Sequence, residues 1–322
     1  MTDTSEPGPE ISVVVPTFRA ESTLAACLDA LARQVDAPRF EVIVVDSSPD
    51  ERTRAAAAPF GRDRGGSLDL SLVSLPERTF AGLARNRGLR GARASRVLFL
   101  DADCVAAPDL VRRALAALVA TPGVVGGAMG EGGPRTVSSR VRHLLEFKES
   151  LPKAPARATW QLPSACVAFD RALFERYGGY PGTRASEDWR LHWRMWRAGE
   201  AMRFDPSLRV DHLTASGWLA LARYSRVLGR ASGEARRDEG LPGQIVVRWP
   251  ILSVGLPFGR TARALAWCAR HDRSEFVFLL VAWPAYLAIT AIWASGFFRG
   301  LRGEAGGSAL GSSPRSGAPT QG

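Results

Sequence analysis

The sequence predicts an α/β protein, a mostly parallel sheet with helices on both faces, followed by membrane-associated helices. Three observations predict it. Short β-branched runs end on breakers or acids, amphipathic segments of helical period lie between them, and one late segment runs for 23 residues without a charge. Buried parallel strands read as continuous apolar runs, and strands alternating with helices build such sheets. At 322 residues, with 46% hydrophobic and 23% charged, the chain can form one large domain plus an appendage.

Ile11 to Val15 is a β-branched run with Pro16 behind it, the pattern of a buried strand. Leu24, Cys27, Leu28, Leu31 and Val35 then recur at helical intervals and predict a buried stripe. A second strand, Phe40 to Val45, ends on Asp46. Leu70 to Leu75 alternates like a third, Phe80 to Ala92 can be helical, and Val97 to Leu100 is a fourth that runs into Asp101 and Asp103. Ligands of such sheets bind beyond the carboxyl ends of the strands, and Thr17, Asp46, Asp101 and Asp103 all lie at that edge. Pro108 and Asp109 suit the first turn of another helix. Val124 to Met129 can be a strand, but the glycines from Gly123 to Gly133 favour a turn-rich connection. They neither follow the first strand nor spell GxGxxG, which excludes a dinucleotide fingerprint.

The uncharged segment is Phe276 to Phe298, longer than the roughly 20 residues that cross a bilayer core. A buried helix of a soluble protein is the plainer reading of the same pattern. Val246 to Phe258 is interrupted by Arg248 and two prolines, which suits an interfacial or re-entrant element. Arg260, Arg263, Arg270 and Arg273 between the two can meet anionic headgroups, which places the chain at the cytoplasmic face of a membrane. Ala222 to Arg237 reads as an arginine-rich helix, either exposed or lying on the membrane surface. The expected organisation is disorder over 1–10, an α/β domain over 11–240, membrane-associated helices over 241–302 and a disordered tail over 303–322.

A net charge of +10 admits nucleic acid, an anionic membrane or a phosphorylated substrate as partner. No zinc-finger spacing and no RNP-like aromatic pattern accompany it, so nucleic acid is not expected. Six arginines fall between Arg78 and Arg96, close to the strand-end carboxylates, although a solvated helix face explains such a run equally well. Cys27, Cys104, Cys166 and Cys268 show no CxxC pair, which argues against a disulfide framework and for a reducing compartment. No basic n-region or apolar h-region marks the first ten residues, so no signal peptide is expected there.

Asp101 and Asp103 can share one hard divalent cation and its phosphate ligand, since Mg2+ and Mn2+ prefer oxygen donors. A lone DxD also occurs as a solvated loop. Glu187 and Asp188 precede an amphipathic pattern and can sit at a helix N-terminus. One of them is explained by capping; the other can be a general base for a hydroxyl. His212 in RVDHLT, after an expected short strand, is either a structural histidine or a further metal ligand.

Five stretches carry a family resemblance: VVVPTFRAESTLAACLDAL, VIVVDSSPDERT, FAGLARNRGLRGARASRVLFLDADC, FDRALFERYGGYPGTRASEDWRLHWRMWRAG and VDHLT. In this order the chain from Ile11 to Glu239 resembles the family-2 glycosyltransferases of GT-A fold. The resemblance implies that Pro16, Thr17 and Phe18 border a nucleotide base, that Asp46 contacts it, and that Arg85 lies near the nucleotide. It implies that Asp101 faces the ribose or a metal-bound water, that Asp103 ligates Mn2+ or Mg2+, and that His212 adds a ligand. Asp188 would be the catalytic base and Glu187 would orient it or the acceptor. The implied reaction is inverting transfer of one sugar from a nucleotide-sugar donor to a hydroxyl of a glycan or lipid-linked acceptor, in cell-surface glycan or glycolipid assembly. WQLPSACVAFDR departs from the small-x-Asn pattern of many relatives, and no QxxRW follows His212, which disfavours a processive synthase. Two alternatives remain open: transfer to a polyprenyl phosphate, and a catalytically silent nucleotide-sugar-binding membrane protein.

Overall fold

The first strands assemble as their apolar runs require. β1 (Ile11–Thr17), β2 (Phe40–Asp46), β3 (Leu70–Ser74) and β4 (Arg96–Leu100) form a parallel block in the order β3-β2-β1-β4. The computed structural model describes residues 7–303; the disorder expected for the extreme N-terminus and for the tail falls, apart from 7–10 and 303, outside the described residues. Alternate residues of each strand serve opposite faces. Val13, Val15, Val42, Val44 and Leu98 join one core with α1 (Leu24–Ala32), while Val14, Ile43, Val45 and Phe99 join another with α3 (Ala81–Gly91). A strand buried on both faces has no polar side to show, which is why these runs are continuous in sequence.

Beyond β4 the sheet is mixed. β8 (Cys166–Asp170) runs antiparallel to both β4 and β6 (Val124–Glu131), and β6 pairs in parallel with the long β9 (Met202–His212). β5 (Cys104–Ala106) and β7 (Arg157–Ala158) complete it, each antiparallel to β9. The glycine-rich stretch is thus strand rather than turn over most of its length. Glycine is needed there because a Cβ on Gly126 would come within 2.7 Å of the Leu162 side chain, so the strand gives up side chains to let that segment pack.

Helices cover both faces: α2 (Arg52–Ala57), α4 (Leu110–Ala120), α5 (Val137–Phe147), α6 (Arg171–Arg176) and α7 (Glu187–Arg197) with α1 and α3. α1 is shorter than its stripe suggests; Val35 lies past its end, 53% exposed, with its N–H donating to the Pro108 carbonyl. The C-terminal part is helical: α8 (Trp218–Glu239), α9 (Gln244–Arg248), α10 (Leu256–His271) and α11 (Arg273–Arg302), with a 3-10 turn over Pro250–Gly255. α8 and α11 meet backbone to backbone. A Cβ on Gly229 would lie 1.9 Å from the Trp293 carbonyl oxygen, and one on Gly296 2.1 Å from that of Arg226. Pro284 is accommodated inside α11, which among the described residues is the one helix long and apolar enough to cross a membrane.

Candidate active site

The carboxyl edge of the parallel block holds two groups of acids. Register pairs Thr17 with Asp46, and the Thr17 hydroxyl donates to Asp46 Oδ1 at 3.1 Å. The same oxygen accepts from the Ser48 N–H and hydroxyl, and Arg54 Nη1 donates to Oδ2 at 2.7 Å. Asp46 is buried and its charge is met by Arg54, a partner that the sequence reading did not single out. Pro16 and Thr17 are buried beside it, and the partly buried Phe18 ring carries the Arg78 guanidinium at 4.7 Å.

The second group sits where β4 ends. Arg85, reaching from α3 and buried, pairs with Asp101 Oδ1 and donates from Nη1 to Glu187 Oε1 at 3.1 Å. It therefore ties the DxD loop to the first turn of α7. That turn begins at Ser186, whose φ of 62° is unusual for a residue other than glycine. This left-handed entry turns the chain so that Glu187 and Asp188 stand side by side at the positive end of the helix. Asp188 Oδ1 accepts from the Trp189 N–H at 2.8 Å, and Oδ2 lies 3.4 Å from the Ser164 N–H. Burial first, and then the charge of Glu187, pushes the Asp188 carboxyl up to about 7.

Asp103 and His212 are brought together by strand pairing. Cys104 is in register with His212 across β5 and β9, and the Leu213 N–H donates to the Asp103 carbonyl at 2.7 Å. His212 Nε2 lies 3.4 Å from Asp103 Oδ2, while Nδ1 lies 2.5 Å from the Thr214 hydroxyl. With Nδ1 bearing the proton, Nε2 keeps its lone pair for a ligand, the usual arrangement behind a metal-binding histidine. Burial, opposed by His212 and Arg142 and reinforced by the charge of Asp101, holds the Asp103 carboxyl above its ordinary value. Donor atoms of Asp103, Cys104 and His212 converge within 4.8 Å, but burial pushes the Cys104 thiol well up and leaves it a poor ligand. One carboxylate and one imidazole fit a hard divalent cation completed by waters and phosphate oxygens. Asp101 is not part of that convergence; its carboxylate is turned to Arg85.

Asp101, Asp103, Arg85, Glu187, Asp188 and His212 all line one cleft of about 1150 Å³. A family model described as "Glycosyl transferase family 2" matches residues 12–178. The chain belongs to that family. It is 26% identical over 314 residues to a pre-mycofactocin glycosyltransferase of Mycobacterium tuberculosis, covering 89% of this chain and 62% of that protein. The chain thus spans less than two thirds of that relative's length. An N-acetylglucosaminyltransferase of Mesorhizobium japonicum is 32% identical over 127 residues, 39% of this chain and 29% of that protein. Among solved structures, a mannosyltransferase from Pyrobaculum calidifontis in complex with GDP-Man and Mn2+ superposes with a TM-score of 0.63 at 24% identity, over 93% of this chain and 89% of the other. S. aureus TarS 1-349 in complex with UDP-GlcNAc gives 0.52 at 18%, over 91% and 90%. These likenesses show a GT-A fold.

The family match ends at residue 178, before α7, so the Glu187 and Asp188 pair and the cleft lining contributed by α8 to α11 lie outside it. Trp189 of α7 lines the cleft and is backed by two further tryptophans. Trp160 packs against Trp189 and Trp193, with ring centroids 5.6 and 5.3 Å apart. Arg236 of α8 lies over Trp189 at 5.6 Å. Neither Trp160 nor Arg236 was singled out from the sequence, because only the tertiary packing of the segment around Trp160 and of α8 against α7 brings them to Trp189. Pro16, Thr17, Phe18 and Asp46 are not among the residues lining the cleft and lie together at the β1 and β2 ends.

Proposed function

We propose that this family-2 chain transfers one sugar from a nucleotide-sugar donor to an acceptor hydroxyl with inversion at the anomeric carbon. The observation that carries this reading is the convergence of a cation-suited pair, Asp103 and His212, and a proton-accepting pair, Glu187 and Asp188, on one cleft. Pro16, Thr17, Phe18 and Asp46 border the base and Arg85 braces Asp101 beside the ribose. Mn2+ or Mg2+ at Asp103 and His212 supplies charge neutralisation for the departing diphosphate, the imidazole favouring Mn2+.

Asp188 accepts the acceptor's hydroxyl proton through the carboxylate that its neighbours hold at the helix start. The acceptor oxygen bonds to the anomeric carbon as that carbon's bond to the diphosphate oxygen breaks, and the electron pair leaves with the nucleoside diphosphate. Glu187, fixed by Arg85, keeps Asp188 raised and oriented. Apolar α9 to α11 beside the cleft support a setting at the cytoplasmic face of a membrane and a glycan or lipid-linked acceptor.

The test is incubation of the full chain with a panel of nucleotide sugars and Mn2+, following release of nucleoside diphosphate and the anomeric configuration of the product by NMR. One donor class should be consumed with inversion. Release from no donor, or retention of configuration, would overturn the proposal.

A further inference from the structure

The cleft does not stop at the carboxylates. From Asp188 it continues past Trp189 to Arg236, which also lies over Phe297 at 5.3 Å, then along the stacked Phe297 and Trp293 rings to Arg260, 4.0 Å over Trp293. Val246, Leu252 and Leu256 line the same end. The catalytic acids are thus joined by one continuous wall to an apolar chamber between α8, α9, α10 and α11.

That chamber holds more positive charge than its acids match. Arg236 donates to the Pro242 carbonyl at 3.1 Å and to the Ser232 carbonyl and hydroxyl at 3.1 and 2.6 Å, all neutral acceptors. Arg260 Nε is buried with no partner, and among the described residues no hydrogen bond or ion pair to its guanidinium is present. The nearby acid, Glu149, is taken by Arg263 at 2.8 Å and faces Lys148 at 3.7 Å. Burial, then the charge of Arg260, brings Arg236 down to about 10, and burial brings Lys148 down to about 8. Buried cations left without a counter-charge are costly, and the cost is removed when an anion enters. Guanidinium groups are suited to phosphate, which they bind through paired N–H donors.

The entrance to this chamber is apolar. Ile251, Val254 and Phe258 are 68, 67 and 67% exposed on the segment that contributes Leu252 and Leu256 to its lining. Large exposed apolar side chains on consecutive turns mark a surface that meets hydrocarbon. An anion site inside an apolar entrance matches one ligand chemistry, an anionic head on a hydrocarbon chain.

We propose that the C-terminal end of the cleft binds the acceptor through a phosphate ester of a long apolar alcohol, with Arg260 and Arg236 holding the phosphate and the α9 to α10 segment receiving the chain. This deepens and rests on the transferase reading: the phosphate anchors the acceptor, and the hydroxyl to be glycosylated reaches back along the aromatic wall to Asp188. The site is distinct from the donor diphosphate at Asp103 and His212, which lies at the strand edge.

The experiment is calorimetric titration of the full chain in nonionic detergent with farnesyl phosphate, farnesol and inorganic phosphate. Wild type, Arg260→Gln, Arg260→Lys and, as a control for general charge, the exposed Arg270→Gln are compared. Stabilisation of each by nucleoside diphosphates with Mn2+ is recorded in parallel. Farnesyl phosphate should bind at least about tenfold more tightly than farnesol or inorganic phosphate, as charge-assisted hydrogen bonds imply. Arg260→Gln should lose that preference, Arg260→Lys should restore part of it, and Arg270→Gln should keep it, all with an unchanged nucleotide response. Equal binding of farnesol, equal binding of inorganic phosphate, or an unaffected Arg260→Gln would each overturn the proposal while leaving the donor site standing. A farnesyl phosphate preference in wild type without any nucleotide response would support this site and sink the transferase reading instead.

Discussion

Two neighbouring acids at the start of α7 meet opposite surroundings. Glu187 is ion-paired with Arg85, whereas Asp188 is met only by backbone N–H groups and has a carboxyl raised to about 7 by burial and by the charge of Glu187. The sign of the pH effect follows. Below about 7 Asp188 holds its proton and cannot take another; above it the carboxylate is free to act, so kcat/KM should rise with pH through a midpoint near 7. Asp188→Asn should abolish that limb and lower turnover by about 10²- to 10⁴-fold, the range for a general base. A profile flat from pH 6 to 8, or Asp188→Asn turning over like wild type, would move the base elsewhere and favour a phosphate nucleophile. The acids themselves are legible in ASEDWRLHW because charges before an amphipathic run mark a helix start. The Arg85 bridge is not legible, since it joins residues that only the packing of α3 against α7 brings together.

At the level of elements, the α8 and α11 contact is set by glycines four apart on each helix, Gly229 with Gly233 and Gly296 with Gly300. A Cβ at any of them would fall within 2.4 Å of a facing carbonyl oxygen, so the backbones touch where side chains normally intervene. Gly296→Leu should therefore cost about 3 kcal/mol or more, whereas Gly259→Ala in α10, with open space around it, should stabilise by up to about 1 kcal/mol. Thermal melts in detergent check both; equal melting of Gly296→Leu and wild type would refute the contact. Apolar periodicity finds helices that pack through side chains, and it read Ala222 to Arg237 as arginine-rich surface because glycines bring the two backbones together, with only a few large apolar side chains, such as Leu221 and Leu228, beside them. The same limit turned the reading of Val124 to Met129 toward a turn-rich connection, although β6 is a strand there. Continuous Val, Ile and Leu runs announce β1, β2 and β4, but a strand built on Gly126, Gly127 and Gly130 carries its information in what packs against it.

For the whole molecule, the sheet order decides which distant residues meet. The parallel block ends Asp46, Asp101 and Asp103 on one edge, and the long β9 returns His212 to that edge through β5. The edge was legible because acids follow apolar runs; the pairing of Asp103 with His212 was legible only through family resemblance, as no local pattern encodes it. The C-terminal helices then extend the cleft from this edge into an apolar chamber. The central claim is that the edge binds a nucleotide through a divalent cation. It is tested most directly by thermal stabilisation of the full chain with nucleoside diphosphates and Mn2+, with chelator, and in Asp103→Asn. A nucleotide at a hundred times its Kd should add about 2.7 kcal/mol to native stability. The account predicts stabilisation by one nucleotide class that needs the cation and is lost in Asp103→Asn; folded protein that responds to no nucleotide, or equally with and without the cation, would contradict it.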